Sequence, residues 1–432
     1  MLVVLFRLLW MVSIVLLRSN PVYKFYNMRF LLSALCAVLF SSAVVAQTQT
    51  LRVDYVFSGT DKSQEISLDQ MSCFDGWAGR RVNLCDVPVK GNGQILVTDA
   101  ESGRVIYRQS FSTLFQEWQT TEEATRLRRS FENVFLLPMP TEDAYVKVEL
   151  YDVRGNVTSS LTHLVDPSDI LIRRMSPRAP SYSYLYKGGS VEDCIDVAIV
   201  AEGYTQQEMD KFYKDAEVAM EAILSHAPFD QYKERFNFVA VALPSAESGV
   251  SVPGEGLWKD TALKAHFNTF YMDRYLTTLC LKNMHDRLCG VPYEHIVILA
   301  NTETYGGGGI FNSYTLTTAG HPAFKPVVVH EFGHSFVGLG DEYYYDDQFV
   351  EFYYPDCEPW EQNITTLFDF DSKWKDMLEA GEAVLLEGAG YQSKGVYRGS
   401  EDCRMKTNAA ECFCPVCQRV IARIIEFYTV AK

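Results

Sequence analysis

Phe324-Lys325-Pro326-Val327-Val328-Val329-His330-Glu331-Phe332-Gly333-His334 is the stretch that decides how the rest of this chain is read. On a helix, positions i and i+4 project from one face, so His330 and His334 can grip a single ion. Glu331, beside the first imidazole, then lies near the ion's open position, where a carboxylate can take a proton from bound water. The apolar run before the motif suits a helix entering a core, with Pro326 tolerated near its start. Two histidines and a glutamate can also be satisfied polar residues without an ion. The spacing favours zinc, and only 8 of the 432 residues are histidine. Downstream, Gly338 and Gly340 let the backbone leave the helix and turn back toward the metal. Asp341 or Glu342 then supplies a third, oxygen ligand, leaving the fourth position for water. Of the two we expect Asp341, whose short arm suits so tight a return, with Glu342 supporting it or competing for the role.

Residues 330–343 resemble the HEFGH-x-F-x-G-L-x-D-E-Y signature of the M64 peptidases, a family named for a bacterial immunoglobulin A proteinase. Residues 195–205, 244–251 and 305–309, Cys403-Arg404-Met405 and the segment 413–417 are similar too. The resemblance covers roughly residues 190–430, with a weaker match before it. It implies a metzincin-like zincin domain with a mixed sheet and an active-site helix, Zn2+ as cofactor, and Met405 packed beneath the metal without ligating it. The chain departs from the metzincin pattern HExxHxxGxxH: its glycine falls one place later, and an acid one place later still replaces the third histidine.

The composition, 47% hydrophobic and 22% charged, is that of a globular protein and excludes wholesale disorder. Two apolar stretches open the sequence. Residues 1–17 are interrupted by Arg7 and are short for a membrane span. The second begins at Met28-Arg29, runs apolar to Phe40 and ends Ser41-Ser42-Ala43-Val44-Val45-Ala46, the order of charge, apolar run and small residues of an export signal. We therefore read residues 1–46 as a signal segment, with Met28 as the true start and cleavage after Ala46; a two-stretch N-terminal anchor is the alternative. No lipobox precedes Cys36, so lipid attachment is not expected. Loss of this segment removes Arg7, Arg18, Lys24 and Arg29 and no acid, which moves the net charge from −16 to −20. So acidic a chain repels nucleic acid and anionic membranes. The expected partner is a polypeptide substrate, without nucleic acid and without stable membrane association after signal removal. The expected location is exported: periplasmic, cell-surface or secreted. Ten of the eleven cysteines remain after signal removal, and an even number behind an export signal points to disulfides. Cys73 with Cys85, and Cys280 with Cys289, are near enough in sequence for local bridges. The Cys414-Pro415-Val416-Cys417 pair also suggests a redox or structural zinc site, but no second pair of that type accompanies it.

Outward from the motif, the chain reads as an α+β/α/β protein. Residues 47–165 alternate in short apolar runs (Leu51, Val53, Tyr55, Phe57; Val146, Val148, Leu150) between turns such as Gly91-Asn92-Gly93, the pattern of a small β-sandwich, with a helical insertion expected near 120–133. Its expected role is support for the following domain rather than separate binding. A Pro-, Ser-, Arg- and Tyr-rich linker or strap covers 166–190. In 191–432, the catalytic domain, strands 195–201, 236–243 and 295–301 alternate with helices, one starting at a Thr205–Glu208 capping box and another expected near 260–285. Residues 310–318, β-branched and just before the zinc helix, are expected to form the edge of the cleft and to pair with substrate backbone.

The leading expectation is a secreted zinc endopeptidase, with His330, His334 and Asp341 as metal ligands and Glu331 as the catalytic general base. Tyr343 and Tyr344 are candidates for stabilising the oxyanion. The alternatives are a catalytically weak zincin scaffold that binds host or cell-surface glycoprotein through the sandwich, and a zinc amidase acting on cell-wall peptides.

Overall fold

The computed structural model describes residues 49–176, 180–346 and 352–431, so the export segment expected over 1–46 lies outside the described residues. Leu51, Val53, Tyr55 and Phe57 are fully buried along β1 (Gln49–Thr60), as the period of two predicts for a face turned to the core. The chain continues through β2 (Ser63–Asp75), β3 (Gly93–Asp99), β4 (Val105–Phe111), a short α1 (Leu114–Trp118), β5 (Arg129–Pro138), β6 (Ala144–Tyr151), β7 (Val157–Val165) and β8 (Arg173–Arg174). These strands form two four-stranded sheets, ordered β5-β1-β2-β8 and β4-β3-β6-β7. Aromatic pairs join them across the interior: Phe57 to Phe111 at 6.3 Å, Phe111 to Phe135 at 4.7 Å and Tyr55 to His163 at 5.8 Å. Of the helix expected near 120–133 only a short 3-10 turn, Glu122–Thr125, forms. α1 starts earlier, where the Thr113 hydroxyl caps it by accepting from the Gln116 amide, and from Arg129 the inward alternation of Phe131, Asn133, Phe135 and Leu137 makes a strand.

The second region is built on a six-stranded sheet. It comprises β9 (Tyr182–Lys187), β10 (Ile195–Glu202), β11 (Phe236–Val241), β12 (His295–Ala300), β13 (Gly307–Ile310) and β14 (Tyr314–Thr318), in the order β13-β14-β12-β10-β11-β9. The four inner strands are parallel, and β9 and β13 close the edges antiparallel. β10, β11 and β12 are buried at every position, as expected of parallel strands covered on both faces. α2 (Met209–Leu224) follows the Thr205–Glu208 capping box between β10 and β11, α3 (Leu281–Arg287) lies between β11 and β12, and α4 (Phe324–Phe332) follows β14, the last strand of this sheet in chain order. Part of the expected strap is thus an edge strand, since β9 pairs with β11.

The helix expected near 260–285 is also replaced, with only α3 at its end. The backbone instead wraps the buried Glu202 carboxylate, which accepts from the Thr261 hydroxyl (2.5 Å) and from the amides of Leu263 (2.7 Å) and Ala265 (2.8 Å). One carboxylate satisfying two loop amides outweighs helical propensity here. Beyond α4 the chain adds β15 (Tyr344–Tyr345), β16 (Ile364–Thr365), α5 (Lys375–Glu379), β17 (Leu386–Ala389), β18 (Tyr391–Arg398) and α6 (Pro415–Thr429). A single apolar cluster runs from Phe57 and Phe111 of the sandwich to Ile298 and Leu316 of the second sheet. Among the described residues no helix is long and apolar enough to cross a membrane.

Asp196 on β10 yields a pH test. It is 1% exposed, its Oδ1 accepts from Asn237 Nδ2 at 3.0 Å, and its Oδ2 has no partner. Burial pushes this carboxyl from 3.8 up to about 7, outweighing the donation from Asn237. An acid raised in the folded state holds a proton that the unfolded chain has released. Stability therefore falls as pH rises from the unfolded to the folded value, and stays lower above it. Asp196→Asn is expected to remove that slope, raising the urea midpoint above wild type at pH 8 while leaving it near wild type at pH 4. Equal midpoints at pH 8 would count against this account.

Candidate metal centre and active site

Val327, Val328, Val329 and Phe332 of α4 are buried and fix its rotation. The helix then loosens into a single π turn, Gly333–Val337, a distortion found mostly at functional sites. Gly333 faces Met405, whose sulfur would lie 2.8 Å from any Cβ placed there. Gly338 leaves the helix at φ 73°, where an L side chain is strained. The chain turns back from that point and delivers Asp341 to the two imidazoles.

His330 Nε2 and His334 Nε2 are 3.0 Å apart, and Asp341 Oδ1 lies 3.2 Å from the first and 3.3 Å from the second. The other ring nitrogens are committed: His330 Nδ1–H donates to the Arg404 carbonyl at 2.9 Å, and His334 Nδ1–H to the Leu339 carbonyl at 2.6 Å. Both rings therefore turn an Nε2 lone pair toward a carboxylate oxygen that is itself buried without a hydrogen-bond partner. Three acceptors facing one another repel unless a cation lies between them. Donors about 2.0–2.1 Å from a tetrahedral ion stand roughly 3.3 Å apart, so the triangle fits a divalent cation in size and in charge. The remaining Asp341 oxygen accepts from the Tyr391 hydroxyl. Burial alone would raise the Asp341 carboxyl; positive charge at the triangle, carried by protonated imidazoles where no cation supplies it, holds it far below its ordinary value.

Glu331 is half-buried next to the triangle, its carboxyl raised by burial and pulled back by both imidazoles. Its Oε1 stands 2.7 Å from where a Cβ at Gly307 would be. The glycine run of β13 thus makes room for that carboxylate. Glu342, adjacent in sequence to Asp341, points elsewhere: its Oε1 is 3.1 Å from Cys417 Sγ and accepts from Asn363 Nδ2 at 3.0 Å. Tyr344 packs on Gly388 beneath the Arg398 guanidinium. Tyr343 lies 5.2 Å from the Tyr391 ring, with Arg274 at 5.7 Å over it.

Of residues 310–318, expected to form the edge of the cleft, only Ile310 belongs to the edge strand. Tyr314–Thr318 is β14, paired with β12 on one side and β13 on the other, and Thr315 and Thr317 are fully buried. The alternating β-branched pattern marks a strand but does not say whether it is central. The edge is β13, whose outer rim is already engaged at both ends. Gly307 exchanges bonds with Arg274 and Leu276, and Phe311 exchanges bonds with Ser112. By the alternation of an antiparallel ladder, Gly309 is the position between them with amide and carbonyl turned outward.

Three residues near the site escaped the sequence reading. Tyr391, fifty positions beyond Asp341, sits at φ 66° after Gly388 and Gly390; those glycines signal a tight turn but nothing ties them to the metal. Arg274 and Glu117 lie in segments without a motif. Glu117, on α1 of the sandwich, accepts from the Tyr275 hydroxyl at 2.6 Å, and burial pushes its carboxyl up to about 7. The six remaining histidines stay outside the triangle, His163 bonded to Tyr55 and His285 to Tyr293, for example. Tyr391→Phe removes a donor to the far oxygen of Asp341 and is expected to weaken metal binding about 10–100-fold in a chelator-competition titration. An unchanged affinity would mean that the hydroxyl does not orient the carboxylate.

The ten described cysteines are all free thiols, against the expectation of disulfides. Cys73 lies buried in the sandwich core, and Cys85 is exposed and donates to the Val105 carbonyl. Cys403, Cys414 and Cys417 instead gather around Glu342.

The family described as IgA Peptidase M64 matches residues 184–385 and 382–425, and the family described as Peptidase M64 N-terminus matches residues 42–162. No curated protein matches the chain. Its peptidase match alone spans more than half of the sequence and includes the His330–His334–Asp341 triangle: the chain belongs to the M64 peptidase family.

Proposed function

We propose that this chain is an exported zinc-dependent endopeptidase that hydrolyses extracellular polypeptides, with Glu331 as general base. The observation that carries the reading is the triangle of His330, His334 and Asp341 acceptor atoms, 3.0–3.3 Å apart beside a free carboxylate. His330, His334 and Asp341 would hold the metal, and their Nδ1–carbonyl and Tyr391 bonds orient them. When bound, zinc lowers the pKa of a coordinated water and polarises the scissile carbonyl. The Glu331 carboxylate would accept a proton from the attacking water and give it to the leaving amine. The missing side chain at Gly307 leaves Glu331 room to do so. Arg274 and Tyr343, on the side of the triangle nearest Tyr391, are the groups we assign to holding substrate carbonyls. The zincin-like features that support the reading are the edge strand β13, whose Gly307 and Gly309 pack directly on Glu331 of the active helix, and Met405 packed under Gly333. Export is supported by the signal-like run of residues 28–46, and a mature chain beginning after Ala46 is part of the proposal.

A digest of a denatured-protein peptide library by the mature enzyme tests this reading. Cleavage at internal bonds is expected, abolished by a zinc chelator and restored by added zinc. Immunoglobulin A, which gives the family its name, belongs among the substrates offered. A binding scaffold would cleave nothing in any arm, and an amidase would cleave only cell-wall peptides; either result overturns the proposal.

A further inference from the structure

A second group of metal-type donors lies behind the first. Glu342 follows Asp341 directly, Cys403 precedes the Met405 turn, and Cys414 and Cys417 open α6; all four are buried, none more than 3% exposed. Their donor atoms lie within 4.8 Å of one another. Cys403 Sγ and Cys417 Sγ are 3.7 Å apart, and Glu342 Oε1 lies 3.1 Å from Cys417 Sγ and 3.8 Å from Cys414 Sγ. Around a tetrahedral zinc, sulfurs at about 2.3 Å from the ion stand roughly 3.8 Å apart, and a sulfur and a carboxylate oxygen roughly 3.5 Å apart. A disulfide requires about 2.05 Å and would leave the third thiol and the carboxylate buried beside it without purpose.

We propose that Glu342, Cys403, Cys414 and Cys417 form a closed, four-coordinate structural zinc site, separate from the His330–His334–Asp341 triangle.

Two further observations support the assignment. Glu342 is 0% exposed and its Oε2 has no hydrogen-bond partner, although the side chain is aimed into the thiols. Backbone amides also turn toward two of the sulfurs: the Met405 and Cys414 amides donate to Cys403 Sγ at 3.5 and 3.2 Å, and the Cys417 amide to Cys414 Sγ at 3.5 Å. Cys414 and Cys417 stand at the N-terminus of the fifteen-residue α6, whose dipole favours negative charge. The partner pair missing from the Cys-x-x-Cys motif is thus Cys403 with Glu342, which lies in no cysteine pattern.

This site braces the other one. The Glu342 amide donates to the Met405 carbonyl at 2.8 Å, and the Arg404 carbonyl between Cys403 and Met405 receives His330 Nδ1–H. An ion on Glu342 and Cys403 would therefore fix both the turn beneath the imidazoles and the segment carrying Asp341. The bracing role rests on the function proposed above; the presence of the site does not.

The experiment is elemental zinc analysis of the mature protein purified under reducing conditions, with native-state thiol alkylation alongside. Wild type is expected to carry two zinc ions per chain. A His330→Ala/His334→Ala variant should keep one, with Cys403, Cys414 and Cys417 resisting alkylation until a chelator is added. Cys417→Ala should lose the ion that the histidine variant keeps. If the cysteine variant fails to fold, the histidine variant decides. A zinc-free histidine variant with freely alkylated thiols, or with an intact mass two hydrogens short for a disulfide, overturns the proposal. One zinc in wild type that survives the histidine substitutions upholds this site and counts instead against the proposed catalytic one.

Discussion

Glu331→Gln is expected to lower kcat/KM for peptide hydrolysis by about 10²–10⁴-fold while the zinc content of the protein stays at the wild-type level. The atoms placed to hold an ion at the triangle are those of His330, His334 and Asp341, so on the proposed reading removing the charge at position 331 leaves the metal its donors. The amide keeps nearly the volume of the carboxylate against Gly307, where the backbone was cleared for it. The change thus isolates proton transfer from packing. Glutamine cannot accept the water's proton, and the loss should fall on kcat more than on KM, because substrate binding does not need that proton to move. Zinc measured on the same preparation separates this outcome from misfolding. Full activity in the variant would remove Glu331 from the mechanism, and a zinc-free variant would recast it as a ligand.

How far the sequence led can be judged residue by residue. His330, Glu331 and His334 are legible because a helix converts spacing directly into a shared face. Asp341 is legible one step further, since Gly338 and Gly340 announce a return. The orientation of Glu342 is not, because two neighbouring residues in an extended segment point to opposite sides and the partner that decides between them, Cys417, is seventy-five positions away. The same limit hides Tyr391 and the thiol cluster. Long-range partners leave no periodic trace. β14 failed differently: Tyr314–Thr318 reads correctly as a strand, but its place inside the sheet depends on β13, whose four-residue Gly307–Ile310 run carries almost no strand signal. In 260–285, helical propensity lost to the buried Glu202 carboxylate, which no local pattern predicts.

Asp341→Ala is expected to cost the triangle its ion, with affinity falling by more than the roughly 10–100-fold assigned to an outer partner such as Tyr391. The substitution leaves two neutral imidazoles facing each other, an incomplete set for a catalytic zinc, which takes three protein ligands. Peptide hydrolysis should fall to background at zinc concentrations that saturate wild type and recover only in part in excess metal. Glu342→Gln provides the contrast. Its carboxylate lies against Cys417 and Asn363 rather than against the imidazoles, so the triangle should keep its ion while the thiolate site weakens. Wild-type zinc affinity in Asp341→Ala, measured by competition against a chromogenic chelator, would show that the third ligand is another residue. If Glu342→Gln alone abolished both the activity and the zinc held by His330 and His334, the carboxylate facing the thiols here would be the one that turns to the histidines when metal binds. The Tyr391 variant separates these cases, because its hydroxyl touches only Asp341 of the two acids: a loss in Tyr391→Phe that disappears when Asp341 is already alanine assigns the third ligand to Asp341.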